Sequence, residues 1–286
     1  MAVTSPARPG PSRTPPKASG RGVGRRGGRI FHGLSVGAGV SILVVLAAVA
    51  IFLVANAWPA IVAAPEELQK TGWFDADNVF AYVGPLVFGT ILSSIIALTF
   101  AVPIAVGIAL FISHYAPRRI ASVLGYLVDL LAAIPSVVYG LWGALWFQPL
   151  VDPFFAWLTD NLGFIPFFAD YSPPARNVLA AGTVLAVMIL PIITAVSREG
   201  FLQTPRLHEE AALALGATRW EMIRMAVLPF GRSGVISASM LGLGRALGET
   251  MAVLMVISPG FLFSFFLLKP GQHQTIAANI ASKFPE

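Results

Sequence analysis

Two charged residues lie inside an apolar stretch near the C-terminal end of the sequence. Arg245 and Glu249 occur in LGLGRALGETMAV, and their spacing of four residues predicts one shared helix face. A charge at the centre of a membrane helix costs about 2.5–3.5 kcal/mol on insertion scales, so such residues usually line a wet path or pair with each other. A permanent cation beside a carboxylate could attract an anion and then release it. The alternative is a structural ion pair that holds helices together.

Asp129 and Ser136 are further candidates for an anion pathway, in the segment LVDLLAAIPSVVYGLWG. Between them lies Pro135, whose missing N–H predicts a kink in a membrane helix. The Ser136 hydroxyl could contact a substrate at this kink, or it could form a hydrogen bond between helices. Asp129 could belong to the same pathway, or it could extend to the membrane surface or cap a helix.

The composition indicates that most of the chain lies in lipid. Hydrophobic residues make up 56% of the 286 residues, charged residues make up 12%, and the mean hydropathy is +0.75. Soluble domains carry about 25% charged residues. The sequence contains no cysteine, which excludes disulfides, thiolate metal sites and cysteine nucleophiles.

Five apolar runs are long enough to cross a membrane, whose hydrocarbon core of about 30 Å requires about 20 helical residues. They are residues 34–57, 84–113, 123–147, 177–196 and 233–257. The first run exceeds the apolar core of about 7–15 residues in a secretion signal, which favours a retained span over a cleaved one. The predicted fold is therefore an all-α, polytopic transmembrane helical bundle.

The charges outside these runs predict a domain division and an orientation. Residues 1–29 contain seven Lys or Arg and no acidic residue, which predicts a disordered basic tail before a transmembrane domain of residues 30–286. Basic residues also concentrate in segments 114–122 and 197–232, so the positive-inside rule places these segments and the N-terminus in the cytoplasm. Five spans then put the C-terminus outside, and the polar ending leaves open whether a sixth span follows.

The segment 197–232 contains a pattern of helix boundaries. Thr204 is expected to cap a first short helix, and Gly216 suits the left-handed conformation that ends one. Thr218 and Glu221 match the S/T-x-x-E capping box that starts a second helix. Two short helices joined by a glycine turn are therefore predicted in a cytoplasmic loop.

The first of these short helices has an apolar side and several alanines. This pattern is typical of a helix that docks in a groove of a partner, although an amphipathic helix on the bilayer surface is the alternative. Pro229 is expected to close the second helix where the chain enters the membrane.

Several residues of this loop resemble the EAA loop of the permease subunits of ABC importers. The matching residues are Glu210, Ala211, Ala212, Gly216, Leu228 and Pro229. The chain departs from the usual pattern at Ala226, where the family usually has a β-branched aliphatic residue. The resemblance implies that the loop lies in a cleft of an ATP-binding subunit, so that ATP-driven closure moves the membrane helices.

The segments LLAAIPSVVYGLWG, AVPIAVGIALFISHYAP and LGLGRALGETMAV resemble the PstC-type phosphate permeases within the ABC importers. This resemblance implies a subunit of the bacterial cytoplasmic (inner) membrane that imports inorganic phosphate, usually with six spans. It also implies a second homologous permease subunit, two ATP-binding subunits and an extracytoplasmic phosphate-binding protein. Arg245 and Glu249 correspond to an arginine and a glutamate of the family's fifth-span motif.

The sequence also limits the classes of function. It has no G-x-x-x-x-G-K-[ST] loop, so ATP hydrolysis is assigned to a partner and the chain is not expected to be an enzyme. No spacing indicates a metal or cofactor site, and the basic residues form no stripe that indicates nucleic acid, which leaves membrane lipid as the expected surroundings. One alternative is a permease for another oxyanion such as sulfate or molybdate. Another is an ion-coupled secondary transporter, which would leave the EAA loop unexplained.

Overall fold

The structure, a computed structural model, describes residues 24–63 and 78–283. Within these ranges it contains helices and irregular segments but no β-strand, in agreement with the predicted all-α fold. The helices in these ranges are α1 Gly24–Val62, α2 Val79–Leu110, α3 Arg118–Ala132, α4 Ser136–Trp142, α5 Gln148–Leu162, α6 Val178–Leu202, α7 Arg206–Ala214, α8 Arg219–Met222, α9 Leu228–Leu247, α10 Met251–Val256 and α11 Ile276–Lys283.

The helix α1 belongs to the first of two compact units, which ends at Ala63. Its part Ile30–Val62 is long and apolar enough to cross a membrane and contains the first predicted span. Residues 24–29, which the sequence analysis assigned to a disordered tail, form the first turns of this helix. The rest of the predicted tail lies outside the described residues.

In the second unit, three long helices satisfy the length and composition of a membrane span. They are Val79–Tyr115, Val178–Leu202 and Arg219–Leu247. The third predicted span is not one straight helix, because α3 and the helix Ser136–Leu162 meet at an angle of 90°. Together with α1, the described residues thus contain four candidate spans, or five if the bent pair is counted as one.

Pro135 causes the bend between α3 and α4. It has no N–H to continue the helix, and its extended backbone (φ −58°, ψ 140°) separates the end of α3 at Ala132 from the start of α4 at Ser136. The sequence predicted a kink at this proline. The observed break is larger, since residues 133–135 lie outside both helices.

Small residues bring α2 and α6 together in the core of the second unit. Ala97, Ala101, Ala105 and Ala109 recur every four residues along α2 and are all fully buried. This spacing places them on one face of the helix. Without a hydrophobic force between helices in lipid, close packing of small residues is a main source of attraction. The α2–α6 pair therefore forms the centre of the second unit, and the broken helices pack against it.

The connecting segments that were predicted to be cytoplasmic meet at one end of this unit. His114 Nε2 lies 3.6 Å from Glu209 Oε1, which joins segment 114–122 to segment 197–232. Nδ1 of the same His114 ring lies 2.7 Å from the Ser113 hydroxyl oxygen. The two segments therefore meet at one end of the helical unit, and their shared location on the cytoplasmic side stays a prediction.

The opposite end consists of the irregular segment between α10 and α11, anchored on the segment before α6. Lys269 Nζ lies 2.8 Å from Asp170 Oδ2. His273 is 2% exposed, and its Nε2 contacts the Ser264 carbonyl oxygen at 2.6 Å. Burial lowers the pKa of His273, so the ring is neutral near pH 7 and Nε2 carries the donated hydrogen.

We predict that these two ends face opposite sides of the membrane. The chain has no cysteine, so single cysteines can be introduced without background. Leu215 at the first end is 90% exposed, and Phe164 at the second end is 80% exposed. A membrane-impermeant maleimide added to intact cells should label Phe164→Cys and spare Leu215→Cys, and inverted vesicles should reverse the result. Labelling of both variants from one side would contradict this arrangement.

Candidate functional site

Arg245 and Glu249 lie on either side of a break between two helices. The helix α9 ends at Leu247, and α10 begins at Met251. The prediction of one continuous helix over residues 233–257, with both charges on one face, is therefore wrong. Gly248 is a poor helix former, which favours the end of α9. The Glu249 carboxylate accepts a hydrogen bond from a backbone N–H three residues later in the chain, which favours the start of a new helix.

The side chain of Glu249 closes the first turn of α10. It is 7% exposed, and its Oε1 accepts a hydrogen bond from Ala252 N at 3.0 Å. At the other end of this helix, the buried Gln148 side chain donates from Nε2 to the Val256 carbonyl oxygen at 2.7 Å. Both ends of a helix of only six residues are thus completed by side chains.

Arg245 is half-buried in the last turn of α9. Among the described residues, no ion pair joins it to Glu249 or to another carboxylate. At the Pro135 break, the Tyr139 hydroxyl donates to the Leu131 carbonyl oxygen at 3.0 Å. Within the described residues, Arg245 is therefore a positive charge without an ion-pair partner, next to the break between α9 and α10.

The structure separates the other two predicted pathway residues. Ser136 is the first residue of α4, which packs closely on α10, because a Cβ on Gly140 would lie 2.7 Å from Ala252 Cα. Asp129 lies in the last turn of α3, where its Oδ2 is 3.9 Å from Arg198 Nη2. Ser136 therefore shares a helix pair with Glu249, whereas Asp129 belongs to a group at the end that carries segment 197–232.

Segment 197–232, called the coupling loop from here on, has the predicted turn. Gly216 has φ +86°, the left-handed conformation that favours glycine. The capping box is also formed: Glu221 N donates to Thr218 Oγ1 at 3.3 Å, and Thr218 N donates to Glu221 Oε2 at 2.8 Å. Both predictions are confirmed because they depend on chemistry within a few residues.

Two predicted boundaries of the coupling loop differ in the structure. The Thr204 hydroxyl makes no hydrogen bond among the described residues, and α7 starts at Arg206 after Pro205 without a side-chain cap. Pro229 does not close a helix, since Arg219–Leu247 is continuous. A π-helical turn at Ile223–Val227 widens the backbone just before the proline and so accommodates its ring.

The residues of the EAA pattern are largely accessible. Glu210, Ala211, Gly216 and Pro229 are exposed, while Ala212 and Leu228 are half-buried.

The coupling loop is apolar on its outer surface and anchored underneath. Leu207 and Leu215 are 75% and 90% exposed, next to an apolar pocket of about 710 Å³ that opens between α7 and the start of α9. The buried cluster beneath the loop consists of Ala109, Leu110, Phe201, Met222, Ile223 and Val227. This cluster fixes the loop to the ends of α2, α6 and α9.

One continuous helix connects the coupling loop to Arg245. The helix Arg219–Leu247 has 29 residues, which corresponds to a length of about 40 Å at 1.5 Å per residue. Its first turn carries the capping box, and its last turn carries Arg245. A displacement of the loop would therefore move the positive charge at the far end.

The sequence analysis did not single out Gln148 or the contact of His114 with Glu209. Gln148 could have been noticed as a polar amide within the apolar run GALWFQPL. Its partner could not have been predicted, because only the folded chain brings it to Val256, 108 residues away in sequence.

Comparisons with known proteins agree with this architecture. Residues 81–282 match the family described as binding-protein-dependent transport system inner membrane component. The chain is 47% identical over 268 residues to phosphate transport system permease protein PstC 2 of Mycobacterium tuberculosis, covering 92% of this chain and 82% of the relative. It is 43% identical over 277 residues to PstC of Mycobacterium leprae, covering 95% and 86%. For PstC of Mesorhizobium japonicum the identity is 38% over 263 residues, covering 90% and 79%.

The long membrane helices, the broken helices beside internal charges and the exposed coupling loop define a polytopic membrane permease subunit. The predicted fold class is thereby confirmed. The chain belongs to the binding-protein-dependent transport system inner membrane component family and, within it, to the PstC-type phosphate permeases.

The hydrogen bond from Ala252 to Glu249 predicts different effects for two substitutions. Glu249→Gln keeps an oxygen acceptor, so we expect thermal stability near that of wild type. Glu249→Ala leaves the buried Ala252 N–H without its acceptor and should cost about 0.5–2 kcal/mol. Thermal unfolding of the full chain in detergent measures both, with the exposed Glu210→Ala as control. An equal loss in the Gln and Ala variants would mean that the charge, rather than the cap, stabilises the fold.

Proposed function

We propose that this chain is the transmembrane permease subunit of an ATP-driven importer of inorganic phosphate, and that it forms half of the substrate pathway. The observation that carries the proposal is the half-buried Arg245, which has no ion-pair partner among the described residues and lies beside a helix break. Membership of a family whose relatives are named phosphate permeases supports it.

In this proposal Arg245 attracts the phosphate anion. Its planar guanidinium can donate to two phosphate oxygens at once, which a lysine ammonium does less well. The nearby buried carboxylate of Glu249 limits the net attraction, so that the anion is released as well as bound. Ser136 offers a hydroxyl on the helix that packs against α10, and Asp129 acts where the pathway reaches the coupling-loop end.

The coupling loop is the proposed docking site for an ATP-binding subunit. Its exposed leucines and the adjacent apolar pocket fit a partner groove. Docking movements pass along the helix Arg219–Leu247 to Arg245, which links ATP hydrolysis in the partner to the substrate charge. The complete importer also contains a second homologous permease subunit and an extracytoplasmic phosphate-binding protein. The N-terminus and the coupling loop face the cytoplasm in this arrangement.

Gly216 provides a test of coupling. Gly216→Val places a β-branched residue in a left-handed conformation at a cost of about 1–2 kcal/mol, which should change the angle between α7 and α8. We expect co-purification with the ATP-binding subunit and phosphate uptake both to fall severalfold. Gly216→Asn should retain most of both, because asparagine tolerates this conformation.

A matched control for the valine substitution is Gly107→Val. Gly107 lies in α2, and a Cβ there would meet nothing within 4 Å. Unchanged uptake and unchanged partner association in Gly216→Val would contradict the docking proposal.

Arg245 provides the test of the substrate pathway. Phosphate uptake by the assembled importer should be highest in wild type, lower in Arg245→Lys and lowest in Arg245→Gln. Lysine keeps the positive charge but lacks the planar pair of donors of the guanidinium, and glutamine lacks both the charge and this pair. The double variant Arg245→Gln/Glu249→Gln should not recover uptake. Arg119→Gln, which removes an exposed arginine outside the coupling loop, serves as control.

Two results would count against this assignment. Near-normal phosphate uptake by a correctly assembled double variant would show that the two charges only balance each other. Strong competition by sulfate or molybdate, with weak competition by arsenate as the phosphate mimic, would instead favour another oxyanion as substrate.

A further inference from the structure

A polar pocket lies at the coupling-loop end of the second unit, between α3 and the end of α6. Its volume is about 620 Å³. The charged residues that line it are Arg118, Arg198, Arg206, Asp129 and Glu199. Three guanidinium groups and two carboxylates share this pocket, which leaves one positive charge in excess.

Arg198 is the most enclosed of these charges. Its side chain is 16% exposed, with Nη2 at 2.9 Å from Glu199 Oε1 and at 3.9 Å from Asp129 Oδ2. Its Nε is buried and has no hydrogen-bond partner within the described part of the chain. A Cβ on Gly125 of α3 would collide with Arg198 Nη1, so the absence of a side chain at Gly125 makes room for the guanidinium.

The two carboxylates neutralise Arg198 only weakly. The Asp129 and Glu199 side chains are 56% and 59% exposed, and ion pairs of exposed groups contribute little because water screens them. The pocket therefore combines an enclosed, weakly neutralised cation with a net positive charge.

We propose that this pocket binds a phosphate group through Arg198, with Arg118 and Arg206 adding positive charge around it. A guanidinium fork fits phosphate oxygens in pairs. One excess positive charge is balanced by a phosphate group with one negative charge, such as the phosphodiester of an anionic phospholipid. Basic pockets between membrane helices at the cytoplasmic side are suited to such headgroups, although free inorganic phosphate presents the same oxygens.

This site does not include Arg245, the proposed substrate charge, although Asp129 lines the pocket and also belongs to the proposed pathway. Arg245 lies at the opposite end of the helix Arg219–Leu247 from the capping box in the coupling loop. The inference therefore does not rest on the proposed transport function, and its test requires neither ATP nor a partner subunit.

The test compares binding of two probes to the full chain purified in a neutral detergent. Short-chain phosphatidylglycerol is titrated and counted by native mass spectrometry, and inorganic phosphate is titrated by thermal shift. Whichever of the two probes binds the wild-type chain, we expect its affinity to fall at least about tenfold in Arg198→Gln. This is the loss expected when charge-assisted hydrogen bonds are removed. Arg232→Gln, which alters an arginine of the coupling loop outside this pocket, should bind as wild type does.

A second variant keeps the test decisive if Arg198→Gln does not fold. Gly125→Ala retains every charge but displaces the end of the Arg198 side chain, and it should weaken the same binding. Loss of phosphatidylglycerol binding alone identifies a lipid site, and loss of inorganic phosphate binding alone identifies a site for the free anion. Equal binding of both probes by wild type, the folded Arg198 variant and Gly125→Ala would overturn the proposal, and the uptake results for Arg245 would be unaffected.

Discussion

Backbone groups inside a membrane must find partners within the protein, because lipid offers none and each unsatisfied group costs several kcal/mol. This constraint governs the two broken helices of the permease. Glu249 accepts from Ala252 N at the start of α10, and Gln148 donates to the Val256 carbonyl oxygen at its end. At the other break, Tyr139 donates to the Leu131 carbonyl oxygen near the end of α3. The irregular backbone beside Arg245 exists because these side chains complete it.

The same hydrogen bonds determine how the charges can act. Glu249 is held by the first turn of α10, and no ion pair ties it to Arg245 within the described residues. The carboxylate therefore reduces the local positive potential without occupying the guanidinium donors. In the proposed substrate pathway, those donors would bind the phosphate anion.

The coupling loop combines a rigid base with an accessible surface. Buried Phe201, Ile223 and Val227 attach it to the membrane helices, whereas Leu207 and Leu215 are largely exposed. A partner that moves the loop would therefore move the helices rather than bend the loop alone. The charged group around Arg198 lies at this same end, so a ligand there would contact α3 and α6 close to the attachment points.

The sequence by itself determined the features that depend on neighbouring residues. Apolar length located the long helices, the αL preference of glycine located the turn at Gly216, and the Thr218–Glu221 spacing located a helix start. The EAA pattern likewise identified the family. Only the tertiary structure decided where the membrane helices break, because a break requires partners such as Gln148, which lies 108 residues from Val256 in sequence. It also placed Asp129 beside Arg198, since hydrophobic periodicity identifies a helix but not the neighbouring helix that a charged side chain faces.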